Sequence, residues 1–144
     1  MIRPATPDEL DYVTATWISG MQRGQHHGRA ARSRIRAAIE MLVETQPVLV
    51  HAAPALDGER NEDVIGWCCT TPLASPAVVH YVYTRNAHGE TPMRRRGIAR
   101  GLLTRAGVNL ASIVPYTHAT DLLPALLATS GVRGVPFSVE KVIA

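Results

Sequence analysis

Three arginines and a glycine, Arg94-Arg95-Arg96-Gly97, stand immediately ahead of a run with helical apolar spacing. Ile98, Leu102 and Ala106 recur at four-residue steps, with Ala99 and Leu103 beside them, so one face of that helix is apolar. Cations at a helix start oppose the helix dipole, and helix stability therefore does not account for them. A bound anion does. The first N–H groups of a helix lack partners within it and point outward as donors. Gly97 lets the chain approach a phosphate without a Cβ in the way, Ala99 keeps the next position small, and the arginines add forked, charge-assisted hydrogen bonds. The plain alternative is a solvated basic loop before an ordinary amphipathic helix.

Other residue types that could do chemistry carry weaker patterns. His26-His27 resemble a metal pair only superficially, because adjacent residues rarely ligate together and no third ligand stands at a useful spacing. No metal is expected. Cys68 and Cys69 are adjacent in a strand-like run, so their side chains point to opposite faces and read as buried, reduced thiols. A nucleophilic role has no local base to support it. Trp17 and Trp67 read as core.

The elements that position these residues follow from patterning. Thr6-Pro7-Asp8-Glu9 is a helix start, with Thr6 as cap, Pro7 at the first helical position and Glu9 completing a capping box. Leu10, Val13, Trp17 and Met21 continue that helix to about residue 21, after a short strand at Ile2 to Ala5. A glycine-broken loop over 22–31 precedes a second helix over 32–45, with Ile35, Ile39, Leu42 and Val43 inward and Pro47 at its end. Strands are expected over 47–53, 63–71 and 77–84, the first two joined by a polar loop containing Asp57-Gly58. The helix behind the arginines spans 97–110, followed by a strand at 111–115, a helix at 120–129 closed by Ser130-Gly131, and a strand at 135–143. The order is β-α-α-β-β-β-α-β-α-β.

At 144 residues the chain reads as one domain, 1–144, long enough to bury roughly two-thirds of its unfolded surface. No apolar run approaches the roughly 20 residues of a membrane span, and the polar, acidic start is no signal peptide, so a cytoplasmic protein without membrane partners is expected. Lys141 is the only lysine, and such a bias follows genomic base composition equally well. Placement says more. Arg23, Arg29, Arg32, Arg34 and Arg36 crowd one region with His26 and His27, which favours an anionic partner.

The segment Arg94 to Ala99 resembles the Gln/Arg-x-x-Gly-x-Gly/Ala signature of the GNAT acyl-CoA N-acyltransferase superfamily, and Tyr81-Val82-Tyr83-Thr84 stands where that family has its fourth strand. The resemblance covers some thirty residues closely and the remainder by element order. It implies an α/β (α+β) fold with a mixed, mostly antiparallel central sheet and about four helices. Acetyl-CoA is the implied cofactor. Arg94, Arg95, Arg96, Gly97, Ile98 and Ala99 would bind its pyrophosphate, and Val82, Tyr83 and Thr84 would offer backbone groups to the pantetheine arm. One departure is the segment between Arg85 and Arg94, which is longer than the family's usual connector.

Acyl transfer to an amine requires the amine to lose a proton, the oxyanion to be stabilised and the thiolate to leave protonated. His80 is the first candidate base, since it lies on the central strand and an unperturbed histidine titrates near neutrality; the alternative is a histidine hydrogen-bonded in a mixed core. No acid occurs between Asp63 and Glu90, where some family members place a glutamate. Tyr116 is the candidate acid, the family's tyrosine position near Leu126-Leu127 being empty of one; Thr117, His118 or water are its rivals, and an edge tyrosine is its structural alternative. His26, His27 and Arg29 would line the acceptor side. The leading expectation is an acetyl-CoA-dependent N-acetyltransferase acting on the primary amine of a small or peptidic, anionic acceptor, with a homodimer compatible. Two alternatives remain: a GNAT-fold enzyme modifying nucleic acid or charged tRNA, disfavoured because the basic patch has no aromatic for base stacking, and a non-catalytic coenzyme A-binding module.

Overall fold

The computed structural model describes residues 1–22, 29–56, 62–72, 77–93, 96–111, 114–116 and 134–136. Strand β1 (Ile2–Pro4) leads into helix α1 (Pro7–Gln22), and helix α2 (Arg29–Thr45) follows. Next come β2 (Val48–Pro54), β3 (Glu62–Thr71) and β4 (Val78–Thr84). A small ribbon, β5 (Ala87–His88) and β6 (Thr91–Pro92), precedes helix α3 (Ile98–Arg105). Strands β7 (Val114–Tyr116) and β8 (Gly134–Pro136) complete the described elements. The main sheet has the order β1-β2-β3-β4-β7-β8, antiparallel as far as β4 and parallel beyond it. This is the mixed, mostly antiparallel sheet that the resemblance implies. Three helices fall among the described residues; the helix expected over 120–129 lies outside them.

The start of α1 shows how local sequence sets the frame. Pro7 opens the helix, and the N–H of Thr6 donates to Glu9 Oε1 at 2.9 Å, the returning half of a capping box. The same carboxylate takes a forked bond from Arg3, at 2.7 and 3.1 Å, while Arg3 Nη2 also donates to Glu62 Oε2 at 2.8 Å. One guanidinium thus ties β1, α1 and β3. The bond from Arg3, seconded by Thr6, holds the Glu9 carboxyl below its usual range against the opposing effect of burial. A lowered folded value contributes stability that is complete above the ordinary carboxylate range and is lost as pH falls through the folded value.

Two different cores sit on the two faces of the sheet. On one face, α1 and α2 bury Val13, Trp17, Ile39 and Leu42 against Val50, Trp67, Cys69 and Tyr81. The Trp17 and Trp67 rings lie 5.5 Å apart, and Tyr81 stacks on both at 5.3 and 5.4 Å. On the other face, α3 buries Ile98, Ala99, Leu102 and Leu103 against Ile65, Cys68, Val79 and Val82. The expected split of the two cysteines holds: Cys68 faces the α3 core and Cys69 the α1/α2 core, both as free thiols.

Helix α2 opens at Arg29, earlier than the expected 32, and two further elements differ from expectation. Helix α3 ends at Arg105 because Gly107, at φ 86°, turns left-handed. Its N–H bonds Thr104 O and the Val108 N–H bonds Leu103 O at 2.9 Å, the paired bonds of a Schellman stop, with Val108 and Leu103 in one apolar cluster. The long connector after β4 is not featureless: β5 and β6 pair across a turn at Gly89, and the Met93 N–H closes the ribbon on Asn86 O. Asp63 Oδ2 holds it to β3 through His88 Nε2 at 3.1 Å.

Candidate functional site

Helix α3 opens without a side-chain cap. Gly97 occupies the N-cap position at φ 76° and ψ 13°, and among the described residues no side-chain cap bond is made there. The first bond of the helical ladder runs from the Gly101 N–H to Gly97 O at 2.8 Å, which leaves the amides of Ile98 and Ala99 ahead of it. Their side chains are buried in the α3 core, so it is the backbone that faces outward. The left-handed φ alone requires glycine at position 97, whether or not a ligand is present. A Cβ built there would meet nothing within 4 Å. Arg96 is exposed beside it; Arg94 and Arg95 lie outside the described residues.

Sequence reasoning overlooked the seat of this helix. A Cβ at Gly66, in the middle of β3, would lie 2.8 Å from Ile98 Cγ2 and 2.9 Å from Tyr83 O. Glycine here lets the first turn of α3 rest directly on the sheet. A lone glycine inside an apolar strand run was the available signal. Because a backbone oxygen cannot step aside, Gly66→Ala is expected to cost about 1–3 kcal/mol of stability and to lift the helix mouth. Thermal melting checks the first effect and ligand titration the second.

The outer edge of β4 lies next to that mouth. Among the described residues its pairing with β7 is confined to Val79 opposite Tyr116, while β4 continues to Thr84. On the other side β4 pairs with β3, Cys68 opposite Val82, Trp67 opposite Tyr83 and Gly66 opposite Thr84. The Arg85 N–H bonds Ile65 O at 2.8 Å, which fixes the alternation: Tyr83 turns its backbone groups to β3, whereas Val82 and Thr84 turn theirs to the opposite edge. Of the three strand residues in the expected coenzyme site, two therefore face the β7 side.

His80 occupies a β-bulge. Between Cys69 opposite Tyr81 and Thr70 opposite Val79, β3 advances one residue and β4 two, so His80 is the extra one. Strict alternation would put its side chain on the face away from Tyr81. Instead it reaches the α1/α2 side, where its Nε2 lies 2.7 Å from Thr71 Oγ1. Thr71 Oγ1 in turn donates to Gln46 Oε1 at 2.7 Å, just past the end of α2. A hydroxyl has a single proton to give, so Thr71 accepts from His80 Nε2–H and Nδ1 is the ring's acceptor atom. The ring is 0% exposed. Tyr116, opposite Val79 on the neighbouring strand, is next to the bulge in the sheet. His26 and His27 fall outside the described residues, and Arg29 opens α2. Of the basic patch, Arg34 and Arg36 are exposed on α2.

A concave region lies at the α1 end of the sheet. A cleft of about 420 Å³ gathers Asp8, Glu9, Glu62 and Asp63 around Tyr12 and Arg85. Arg85 Nε donates to Tyr12 Oη at 3.2 Å, and this bond raises the guanidinium's affinity for its proton.

The cysteines are poorly placed to act as nucleophiles. Burial pushes the Cys68 thiol up to about 12 and the Cys69 thiol higher still, so neither is a thiolate at neutral pH. Iodoacetamide at pH 7.5 is expected to leave both unlabelled in the native protein and to label both in denaturant, as intact-mass measurement would record. Native labelling of either would show that a core opens readily. Among the described residues no three His, Cys, Asp or Glu side chains form a metal-binding group, and no helix is long and apolar enough to cross a membrane.

No protein-family model matches this chain, and no curated protein matches its sequence significantly. Two solved structures are similar to this chain. The crystal structure of a probable acetyltransferase is 16% identical, with a TM-score of 0.49 over 92% of this chain and 89% of that one. The candidate acetyltransferase YncA from Salmonella typhimurium, solved with its cofactor acetyl-CoA, is 22% identical, with a TM-score of 0.43 over 74% of this chain and 60% of that one. Both scores lie below 0.5, and the function of this chain has to be read from its own residues.

Proposed function

We propose that this protein is an acetyl-CoA-dependent N-acyltransferase acting on the primary amine of a small or peptidic acceptor. The observation that carries the reading is the start of α3, without a side-chain cap among the described residues, near the end of a β4 strand whose pairing to β7 is confined, among the described residues, to Val79. The amides of Ile98 and Ala99 fit a diphosphate, with Arg96 supplying charge. The outward backbone groups of Val82 and Thr84 fit the amides of an extended arm, as an added strand would. From Thr84 back to the bulge is four residues, about 13 Å at a strand's rise, so an arm laid along β4 ends near His80 and Tyr116.

Acetyl-CoA supplies the activated acyl group as a thioester. The amine nitrogen forms a bond to the thioester carbon and the carbon–sulfur bond breaks. His80 takes the amine proton, its ring held by the bond to Thr71. Tyr116 returns a proton to the departing sulfur. Exposed Arg34 and Arg36 on α2 favour an acceptor that also carries a carboxylate or phosphate.

The complete burial of His80 favours a second reading, a coenzyme A-binding module without turnover. One experiment distinguishes them. Mass spectrometry of the gently denatured protein should reveal coenzyme A or a derivative, and acetyl-CoA offered with a panel of anionic amines should release free thiol. Coenzyme binding with no thiol from any amine would leave only the binding module, and absence of coenzyme binding would remove both.

A further inference from the structure

Thr84 ends β4, is 6% exposed, and its Oγ1 is buried with no hydrogen-bond partner. Buried hydroxyls without partners are uncommon because they forfeit the bonds they made to water. Its position is informative. Thr84 pairs with Gly66, and Gly66 is the point on which Ile98 rests, with Ile98 Cγ2 2.8 Å from a Cβ built there. Alternation puts Thr84 on the same sheet face as Val82, the face that α3 covers. The orphaned hydroxyl therefore lies on the face that α3 covers, close to where Ile98 opens the helix with its amide ahead of the helical ladder. That amide can only donate, and Gly97 brings no acceptor to it. A partner shared by both groups must be rich in acceptor oxygens. Valine would have the same branched shape in this strand and would leave no unpaired donor.

We propose that Thr84 Oγ1 donates a hydrogen bond to a diphosphate oxygen of the bound coenzyme, closing the phosphate cradle from the sheet side. This rests on the coenzyme-binding reading above and extends it to a side chain. Oγ1 has no contact with water in the free protein, and rotation about χ1 by one staggered well re-aims it as the ligand seats. The hydroxyl thus weakens the empty protein and strengthens the loaded one.

The test compares wild type with Thr84→Val and Thr84→Ser by thermal melting without ligand, by calorimetric titration with coenzyme A, and by phosphorus NMR of the bound coenzyme. Thr84→Val should melt higher than wild type yet bind coenzyme A about tenfold more weakly, the loss of one hydrogen bond to a charged group. Its diphosphate resonances should shift from their wild-type positions, and Thr84→Ser should restore both affinity and resonances. Thr84→Ala repeats the deletion if the valine variant does not fold. Unchanged affinity in the variants lacking the hydroxyl, failure of serine to rescue, or unmoved diphosphate resonances would each overturn the proposal. Wild-type protein that binds no coenzyme A would instead remove the site itself.

Discussion

Gly97→Glu is expected to lose coenzyme A binding by at least a hundredfold while remaining folded. The site has room for the side chain, since a Cβ there meets nothing within 4 Å. The backbone is the obstacle: φ 76° costs an L-residue about 1–2 kcal/mol. A carboxylate at a helix N-terminus returns about 0.3–1 kcal/mol of that, because it suits the dipole and the first amides. The melting temperature should therefore fall by only a few degrees. The same carboxylate occupies the donors that a diphosphate needs and repels it, so the fold survives and the binding does not. Gly97→Ala separates the two effects, carrying the backbone strain without the charge, and should retain most of the affinity. Calorimetric titration alongside a thermal melt reads both; a folded Gly97→Glu that binds as wild type would move the coenzyme site elsewhere.

His80→Gln should lower kcat by about 10²–10⁴ and leave coenzyme affinity within about twofold of wild type. Glutamine can still donate to Thr71 Oγ1, so the chain from position 80 through Thr71 to Gln46 persists while the titrating ring is gone. A loss in kcat with intact binding assigns His80 to proton transfer. Turnover at the wild-type rate would show that the base lies elsewhere, and that the buried histidine serves packing and the bulge alone.

Much of this arrangement was legible in the chain. The helical spacing of Val13 and Trp17, and of Ile39 and Leu42, announced which faces meet the sheet, and all four are fully buried. The start of α3 was legible because Gly97 stands just ahead of the helical apolar spacing that opens at Ile98. Its far end was not, because Leu110 continues the apolar spacing beyond the turn that Gly107 imposes. The bulge at His80 was invisible for a physical reason. Both faces of β4 are buried, so its residues show no apolar–polar alternation in which a skipped step could register. Thr84 was read through its backbone alone; that its hydroxyl lacks a partner depends on what α3 and β3 bring around it. Of the expected site, Arg94, Arg95, His26 and His27 lie outside the described residues.

The unequal make-up of the two cores has a practical consequence. Both tryptophans of the chain stand on the α1/α2 side, stacked with Tyr81, while the described residues of the α3 core include no aromatic ring. Intrinsic fluorescence therefore watches one half of the molecule and is nearly blind to the other. Loosening of α3 would pass without an optical signal, and Cys68, the thiol on that dark side, is the natural place from which to report it.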